Sequence, residues 1–356
     1  MNPKLIIDLQ KLEHNAKFLI DMCHAKGISV AAVTKVFCAD KKMVQTLAAL
    51  PMDYLADSRI ENIASYPDEV TQKTVLLRLP SPSEAMKVIT ACDISLNSEM
   101  ATLDALSKAA ATMGVKHGVV LMIDLGDLRE GIYHTNNEQI YNTIEFILNQ
   151  PNLTLEGIGT NLTCYGSVLP TPENLGKLCQ IADDISNKYD IKLSVISGGN
   201  SSSLDIFSKG EMPAAINNLR LGESIICGKE TAYGETFPGL KTDVCILDAE
   251  IIEIAEKPSH PEGKININAF GEVVQYEDRG IRRRALVAVG RQDISQDGLT
   301  PMLDGVEIVG ASSDHLVIDI TEAKTPLNVS DRLEFGLSYG AVLAAFTSRY
   351  VDRIYT

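Results

Sequence analysis

A lysine, a glycine- and serine-rich stretch and two arginines stand where this chain could do chemistry. Lys35 sits near the end of a run of small and β-branched apolar residues, Ile28 to Val36, which reads as a strand buried on both faces. An unpaired ammonium inside a core is expensive, so Lys35 either escapes to solvent past the strand end or lines a pocket there. The stretch from Ser197 to Ser203 leads into a short helix with free backbone N–H groups and hydroxyls. It is a phosphate cradle, or a turn followed by a serine cap. Arg129 lies in the charged, glycine-containing stretch Asp124 to Gly131, where it could anchor an anionic oxygen or a carboxylate, or form a loop salt bridge. Asn161 opens Asn161 to Gly166 and could present an amide to a ligand or close a turn, and Arg220 stands in Asn217 to Glu223.

Positioning these residues requires strands that end side by side. Apolar runs recur at Ile28 to Val36, Tyr54 to Ala56, Val75 to Leu79, Cys92 to Leu96, Gly118 to Ile123, Leu153 to Thr160, Leu193 to Ile196 and Leu219 to Leu221. Helical stretches such as Ala101 to Met113 and Glu173 to Lys188 lie between them. This order predicts an α/β fold, a (β/α)8 TIM barrel, whose active site lies at the C-terminal strand ends. Polar residues stand at those ends: Lys35, Asp57, Arg78, Asn97, Asp124 to Arg129, Asn161, Ser197 to Ser203 and Arg220 to Glu223. The loops after the seventh and eighth strands are the usual phosphate site of such barrels.

From about Pro238 the texture changes to extended runs without a strong helix: Val244 to Ala255, Arg284 to Val289, Val306 to Gly310, Leu316 to Ile320 and Arg332 to Leu337. The expected organisation is a cofactor-binding barrel over 1–237 and a C-terminal β-domain over 238–356. The opening strand Leu5 to Leu9, followed by a helix from Gln10 to Lys26, is expected to pair within the β-domain. The stretch Lys257 to Gly271 reads as an insertion between strands.

Composition narrows the function classes. A net charge of -15 repels nucleic acid and anionic membranes, and Arg282 to Arg284 reads as a solvated strand face. Seven scattered cysteines, none in C-x-x-C spacing, argue against a disulfide framework and a zinc site. Neither a signal segment nor a membrane span is apparent, so a cytoplasmic protein is expected. Motifs for zinc hydrolysis, serine hydrolysis and dinucleotide binding are missing.

A lysine at one strand end with a phosphate cradle across the mouth suggests a phosphorylated aldehyde held as a Schiff base, which points to pyridoxal 5'-phosphate. On Thr34 to Val36, Ile123 to Gly131, Gly198 to Ser203, Leu219 to Ser224 and Gly310 to His315, the chain resembles the fold-type III enzymes of the alanine racemase family, most closely the branch acting on ornithine. The resemblance implies an amino-acid racemase in which Lys35 is the Schiff-base lysine and one acid/base. It places Arg220 at the pyridine nitrogen, which an arginine keeps unprotonated, and Arg129 at the ring's phenolic oxygen. Asn161 stands where relatives have a ring-contacting histidine. The phosphate falls to Ser201, with Ser202 in the same cradle, and to the backbone of Gly222 and Glu223.

Three positions depart from the family pattern. Ala39 replaces a phosphate-binding tyrosine, Met122 replaces a lysine that some relatives carbamylate to hold the arginine, and Arg291 replaces the tyrosine that is the second base. Candidates for that base are His315 and Tyr339, the latter expected on the strand after the loop, ahead of Asp293. Ser313 and Asp314 match the loop that receives the substrate carboxylate. Asp127, Glu130, Glu223 and Asp314 make the mouth acidic, which suits the second amine of ornithine and leaves lysine as an alternative. Racemisation of alanine, aldol cleavage of D-threonine type and non-catalytic carriage of the cofactor are the other readings; the last fits poorly with a β-domain. The family resemblance further implies a homodimer with the site shared across subunits.

Overall fold

Strand formation in the first part of the chain follows from burial on both faces, as the uninterrupted burial of His117 to Asp124 illustrates. The computed structural model describes residues 3–273 and 275–356. It divides into one unit, Gln10–Thr242, and a second made of the segment ending at Leu9 with Asp243–Thr356. The opening strand β1 (Lys4–Ile7) belongs to the second unit. In the first unit the strands are β2 (Ser29–Val33), β3 (Tyr54–Asp57), β4 (Lys73–Leu76), β5 (Ile94–Asn97), β6 (His117–Asp124), the two-residue β7 (Ile132–Tyr133), β8 (Leu153–Gly159), β9 (Val195–Ser197) and β10 (Asn218–Leu221).

All of these but β7 pair in parallel around a ring that closes through β5–β6 and β10–β2. Small and branched residues fill the interior, among them Ala31, Val33, Ala56, Val75, Ile94, Leu96, Val120, Met122 and Val195. Outside, the helix Pro172–Tyr189 buries Leu175, Leu178, Ala182 and Ile185. Its start is fixed by a reciprocal pair of hydrogen bonds between Thr171 and Asn174, with Pro172 at the first helical position, a capping arrangement whose loss typically costs about 1 kcal/mol. Gly157 permits the approach of β8 to β9, since a Cβ there would lie 1.7 Å from the carbonyl oxygen of Val195.

The second unit is antiparallel apart from one pairing. Its long strand β11 (Cys245–Pro258) alternates, burying Cys245, Leu247, Ala249 and Ile251, as a half-buried strand should. It is joined by β12 (Ile281–Val287), β13 (Leu299–Pro301), β14 (Glu307–Ala311), β15 (Leu316–Asp319), β16 (Arg332–Leu337) and β17 (Asp352–Tyr355) in the order β13-β16-β11-β12-β15-β14. A bulge between Ile251 and Glu253 divides β11 into a half paired with β1 and β16 and a half paired with β12. β1 also pairs in parallel with β17.

Several expectations about this unit need correction. A helix does occur, Tyr339–Thr347, so Tyr339 opens a helix and does not extend the strand. The Ser338 side chain caps that helix by accepting from Ala341 N–H. Part of the stretch read as an insertion is the end of β11, and Ile267 forms a bridge with Val273. The basic run is not freely solvated: Arg282 pairs with Asp319 at 2.8 Å and Glu322 at 3.2 Å, while Arg283 and Arg284 donate to the carbonyls of Leu327 and Ser259. The boundary drawn at 237/238 falls inside the barrel unit, which continues to Thr242.

Candidate active site

β2 ends at Val33, earlier than its apolar run, because Thr34 turns its hydroxyl to Asp57 (2.5 Å) and the Tyr66 hydroxyl (2.8 Å). Lys35 therefore opens a single 3-10 turn, Lys35–Phe37, just past the strand. Cys38 and Ala39 follow with φ of 50° and 52°, two successive left-handed residues that side chains with a Cβ resist and that a packed surrounding must impose. Thr34 and Asp57 are fully buried behind the lysine. Burial pushes the Asp57 carboxyl above the usual range, against the bonds it accepts from Thr34, Arg59 N–H and Asn62. The Lys35 side chain itself is open to solvent, but it stands in a concave mouth whose walls displace water. That desolvation holds its ammonium below the ordinary lysine range; the neighbouring Cys164 and Asp57 oppose the shift, and Arg129 and Arg220 reinforce it.

Two arginines and one glutamate make the charged side of the mouth. Arg220, near the end of β10, is 4% exposed and donates to the Ser197 hydroxyl, to the carbonyl of Thr160 (2.7 Å) and to Asn161 Oδ1 (2.6 Å). The Ser197 hydroxyl in turn donates to Asn218 Oδ1 at 2.6 Å. Burial lowers the Arg220 guanidinium to about 10, so it is still charged at neutral pH. Arg129 makes a two-point contact with Glu130, through Nε to Oε2 and through Nη2 to Oε1 at 2.6 Å. Asn161 Nδ2 donates to that same Oε1. Burial would raise the Glu130 carboxyl, but the Arg129 guanidinium and Asn161 prevail and hold it below its ordinary value.

The neutral side of the mouth is built by the loops after β9 and β10. Gly199 takes φ +107°, a conformation open to glycine. Ser201 Oγ lies 3.1 Å from Ser224 Oγ and receives the N–H groups of Gly222 and Ser224 at 3.4 and 3.3 Å, long contacts that leave donors underused. Ser202 Oγ is buried without a hydrogen-bond partner among the described residues. An orphaned hydroxyl beside loosely held N–H groups is the donor set that a phosphate would satisfy. Glu223, at the same turn, accepts from Thr231 at 2.9 Å, and burial raises its carboxyl.

Lys35, Arg129, Asn161, Ser201, Ser202, Arg220, Gly222 and Glu223 thus share the C-terminal strand ends of the barrel. Asp127 does not serve as a mouth carboxylate. It is 1% exposed, and its oxygens accept the backbone N–H groups of Cys164, Tyr165 and Val168, so it ties two loops together. Glu130 is likewise consumed by Arg129 and Asn161. In the β-unit the stretches 290–293 and 312–315 lie side by side, with Arg291 and Gln292 N–H donating to the Ser312 and Ser313 carbonyls at 2.9 and 3.1 Å. Arg291 is locked bidentately on Glu272 at 2.9 Å and stacks on Phe270. Asp314 accepts from Gln292 at 2.6 Å, Asp293 is buried against Gly290 N–H and the Ser348 hydroxyl, and His315 and Ser313 are exposed. Sequence reading did not anticipate the Thr34–Asp57 support, the Glu130 link or Cys164 as a neighbour of Lys35. Only the adjacency of Glu130 to Arg129 gave any sign.

Comparison with known proteins follows the same lines. The chain matches the family described as the alanine racemase N-terminal domain over residues 7–229. It is 46% identical over 353 residues to the ornithine racemase of Acetoanaerobium sticklandii, covering 99% of each chain. To the lysine racemase of Thermotoga maritima it is 35% identical over 354 residues, covering 99% of this chain and 98% of the other. The alanine racemase of Bartonella henselae, solved with covalently bound pyridoxal phosphate, shares the fold with a TM-score of 0.75 at 16% identity over 100% of both chains.

Proposed function

The chain belongs to the alanine racemase family, and we propose that within it the protein is a pyridoxal 5'-phosphate-dependent racemase that interconverts L- and D-ornithine. The observation that carries this reading is the convergence of the Lys35 amine, the Arg220 guanidinium and the unsatisfied Ser202 hydroxyl on one barrel mouth. The full-length similarity to an ornithine racemase favours ornithine; lysine is the second substrate to consider, given the lysine racemase relative.

In this reading Ser201, Ser202 and the backbone of Gly222 and Glu223 hold the phosphate, Arg129 the ring oxygen, and Arg220 and Asn161 the ring's far side. Bound there, the cofactor supplies an electron sink that acidifies the substrate's Cα–H bond. Racemisation needs a proton taken from one face of Cα and another delivered to the opposite face. Lys35, with its ammonium destabilised, can release and accept a proton on one face. Arg291 is a poor shuttle, since its guanidinium is committed to Glu272 and stays charged. His315 and Tyr339 are the residues to test for the second face, then Asp293, while Ser313 and Asp314 receive the substrate. The barrel carries the cofactor and the β-unit of a partner subunit completes the site in a homodimer. Among the described residues no helix is long and apolar enough to cross a membrane, and a cytoplasmic location goes with this function.

Incubating the purified protein with L-ornithine and resolving the enantiomers by chiral chromatography tests the proposal. D-ornithine should accumulate to an equal mixture, and Lys35→Ala should abolish both turnover and the visible absorbance of bound cofactor. A protein that binds no pyridoxal phosphate, or that turns over alanine faster than any diamino acid, would overturn it.

A further inference from the structure

Arg220 is buried and charged, yet every group it touches is neutral: a serine hydroxyl, a backbone carbonyl and an amide oxygen. A buried guanidinium with no counter-charge is strongly unfavourable. The nearest carboxylate in its hydrogen-bond chain is Glu130, one amide away. Asn161 accepts from Arg220 at Oδ1 and donates through Nδ2 to Glu130 Oε1, the oxygen that also accepts from Arg129 Nη2. With a donor facing one end of the amide and a carboxylate facing the other, only one orientation of Asn161 satisfies both. The other acids of the mouth are engaged elsewhere: Asp127 with backbone N–H groups, Asp124 with Gly126 and Leu128 N–H, Asp57 with Thr34, and Glu223 with Thr231. The Glu130 side chain is 13% exposed.

We propose that Glu130 is a positioning residue of the site. Its carboxylate fixes Arg129 directly and Arg220 through the Asn161 amide, so that one negative charge orients and balances both guanidiniums that flank the cofactor. This rests on the racemase reading for its consequence, but not for the coupling itself. It also removes Glu130 from the groups that could meet the distal amine of a diamino acid.

Three measurements separate the parts. In cofactor-free protein, melting temperatures of Glu130→Gln, Asn161→Ala and the double variant form a cycle. The double variant should melt no lower than the worse single variant, because either change breaks the same chain; additive losses would sink the coupling. In protein loaded with pyridoxal phosphate, the visible band of Glu130→Gln should titrate at a pH lower by about one unit, since Arg129 and Arg220, which both disfavour a positive charge at Lys35, lose the carboxylate that balances them. The same variant should lose kcat at least about tenfold with KM little changed, and Glu130→Asp should recover part of it. An unchanged titration and unchanged kcat in Glu130→Gln would overturn the positioning role. A parent protein that shows no visible band would instead overturn the racemase reading, and the melting cycle would still decide whether Glu130 holds the arginines.

Discussion

The two sides of the barrel mouth are built on opposite principles. On the charged side the links that run from Arg220 to the Thr160 carbonyl and to Asn161, and from Asn161 to Glu130, are all short, with nothing added from outside. On the neutral side the contacts of Ser201 stretch from 3.1 to 3.4 Å, and Ser202 Oγ has no partner. The difference separates two tasks. Groups that must point at a ring in one orientation are fixed in advance, which avoids reorganisation when charge moves. Groups that only anchor an anion can be left underused, and their bonds then form as binding energy. Lys35, which desolvation holds below its ordinary range and which has no ion pair among the described residues, is open to changing its charge, while Glu130 is held ionised by Arg129 and Asn161.

The sharpest way to break this contrast is Arg220→Met, which leaves the Thr160 carbonyl and the Ser197 and Asn161 oxygens without their donor. Each buried orphan costs about 1–3 kcal/mol, and relief of the buried charge offsets part of the sum. A loss of about 3 kcal/mol in urea unfolding is expected; a loss below about 1 kcal/mol would mean the charged side is not held in advance.

A second test uses a buried group held neutral. His117, the first residue of β6, is 2% exposed, bonds Ser95 at 2.8 Å, and is lowered by burial from 6.5 to about 4. Between those values the unfolded chain takes up a proton that the folded one refuses, so its contribution is intact above pH 6.5 and is lost as pH falls toward 4. At pH 5 this amounts to about 2 kcal/mol. The denaturation midpoint of His117→Gln should therefore fall less between pH 7 and pH 5 than the parent's; parallel pH profiles would show that His117 is not the group responsible.

Smallest is Ser202→Ala. Its hydroxyl has no partner to lose in the cofactor-free protein, so stability should stay within about 0.5 kcal/mol. Affinity for pyridoxal phosphate, followed by fluorescence titration, should weaken about tenfold, the worth of one charge-assisted bond. Equal effects on stability and affinity would remove the distinction between the two sides.

The barrel was legible because each of its strands is an apolar run ending in a polar residue, a pattern that survives without knowledge of neighbours. Boundaries drifted where a side chain overrode the run, as when Thr34 stopped β2 three residues short of Val36. In the β-unit, β13 and β17 have three and four residues and no long apolar run. The helix Tyr339–Thr347 is apolar nearly all round and follows a strand directly, so its period is masked. Asp127 and Glu130 looked like free acids of the mouth because the partners of Asp127, and Asn161 among those of Glu130, come from the loop after β8, more than 30 positions onward. Residue types can nominate such groups, but only the fold shows whether their oxygens are spent.

The pairing of β1 has a consequence for how the chain must be made. Lys4 to Ile7 find partners at Cys245 to Asp248 on one edge and Asp352 to Tyr355 on the other. On a ribosome the first strand emerges early and waits while residues 10–242 are added, on the order of ten to fifty seconds at ordinary elongation rates. Its second edge stays open until Asp352 to Tyr355 leave the tunnel. Over that interval an apolar ribbon with both edges bare is exposed to other nascent chains, guarded only by the charges of Lys4 and Asp8 at its ends. Closing the second unit therefore waits for β17, and crowded polysomes are the setting in which this protein is most vulnerable to mispairing.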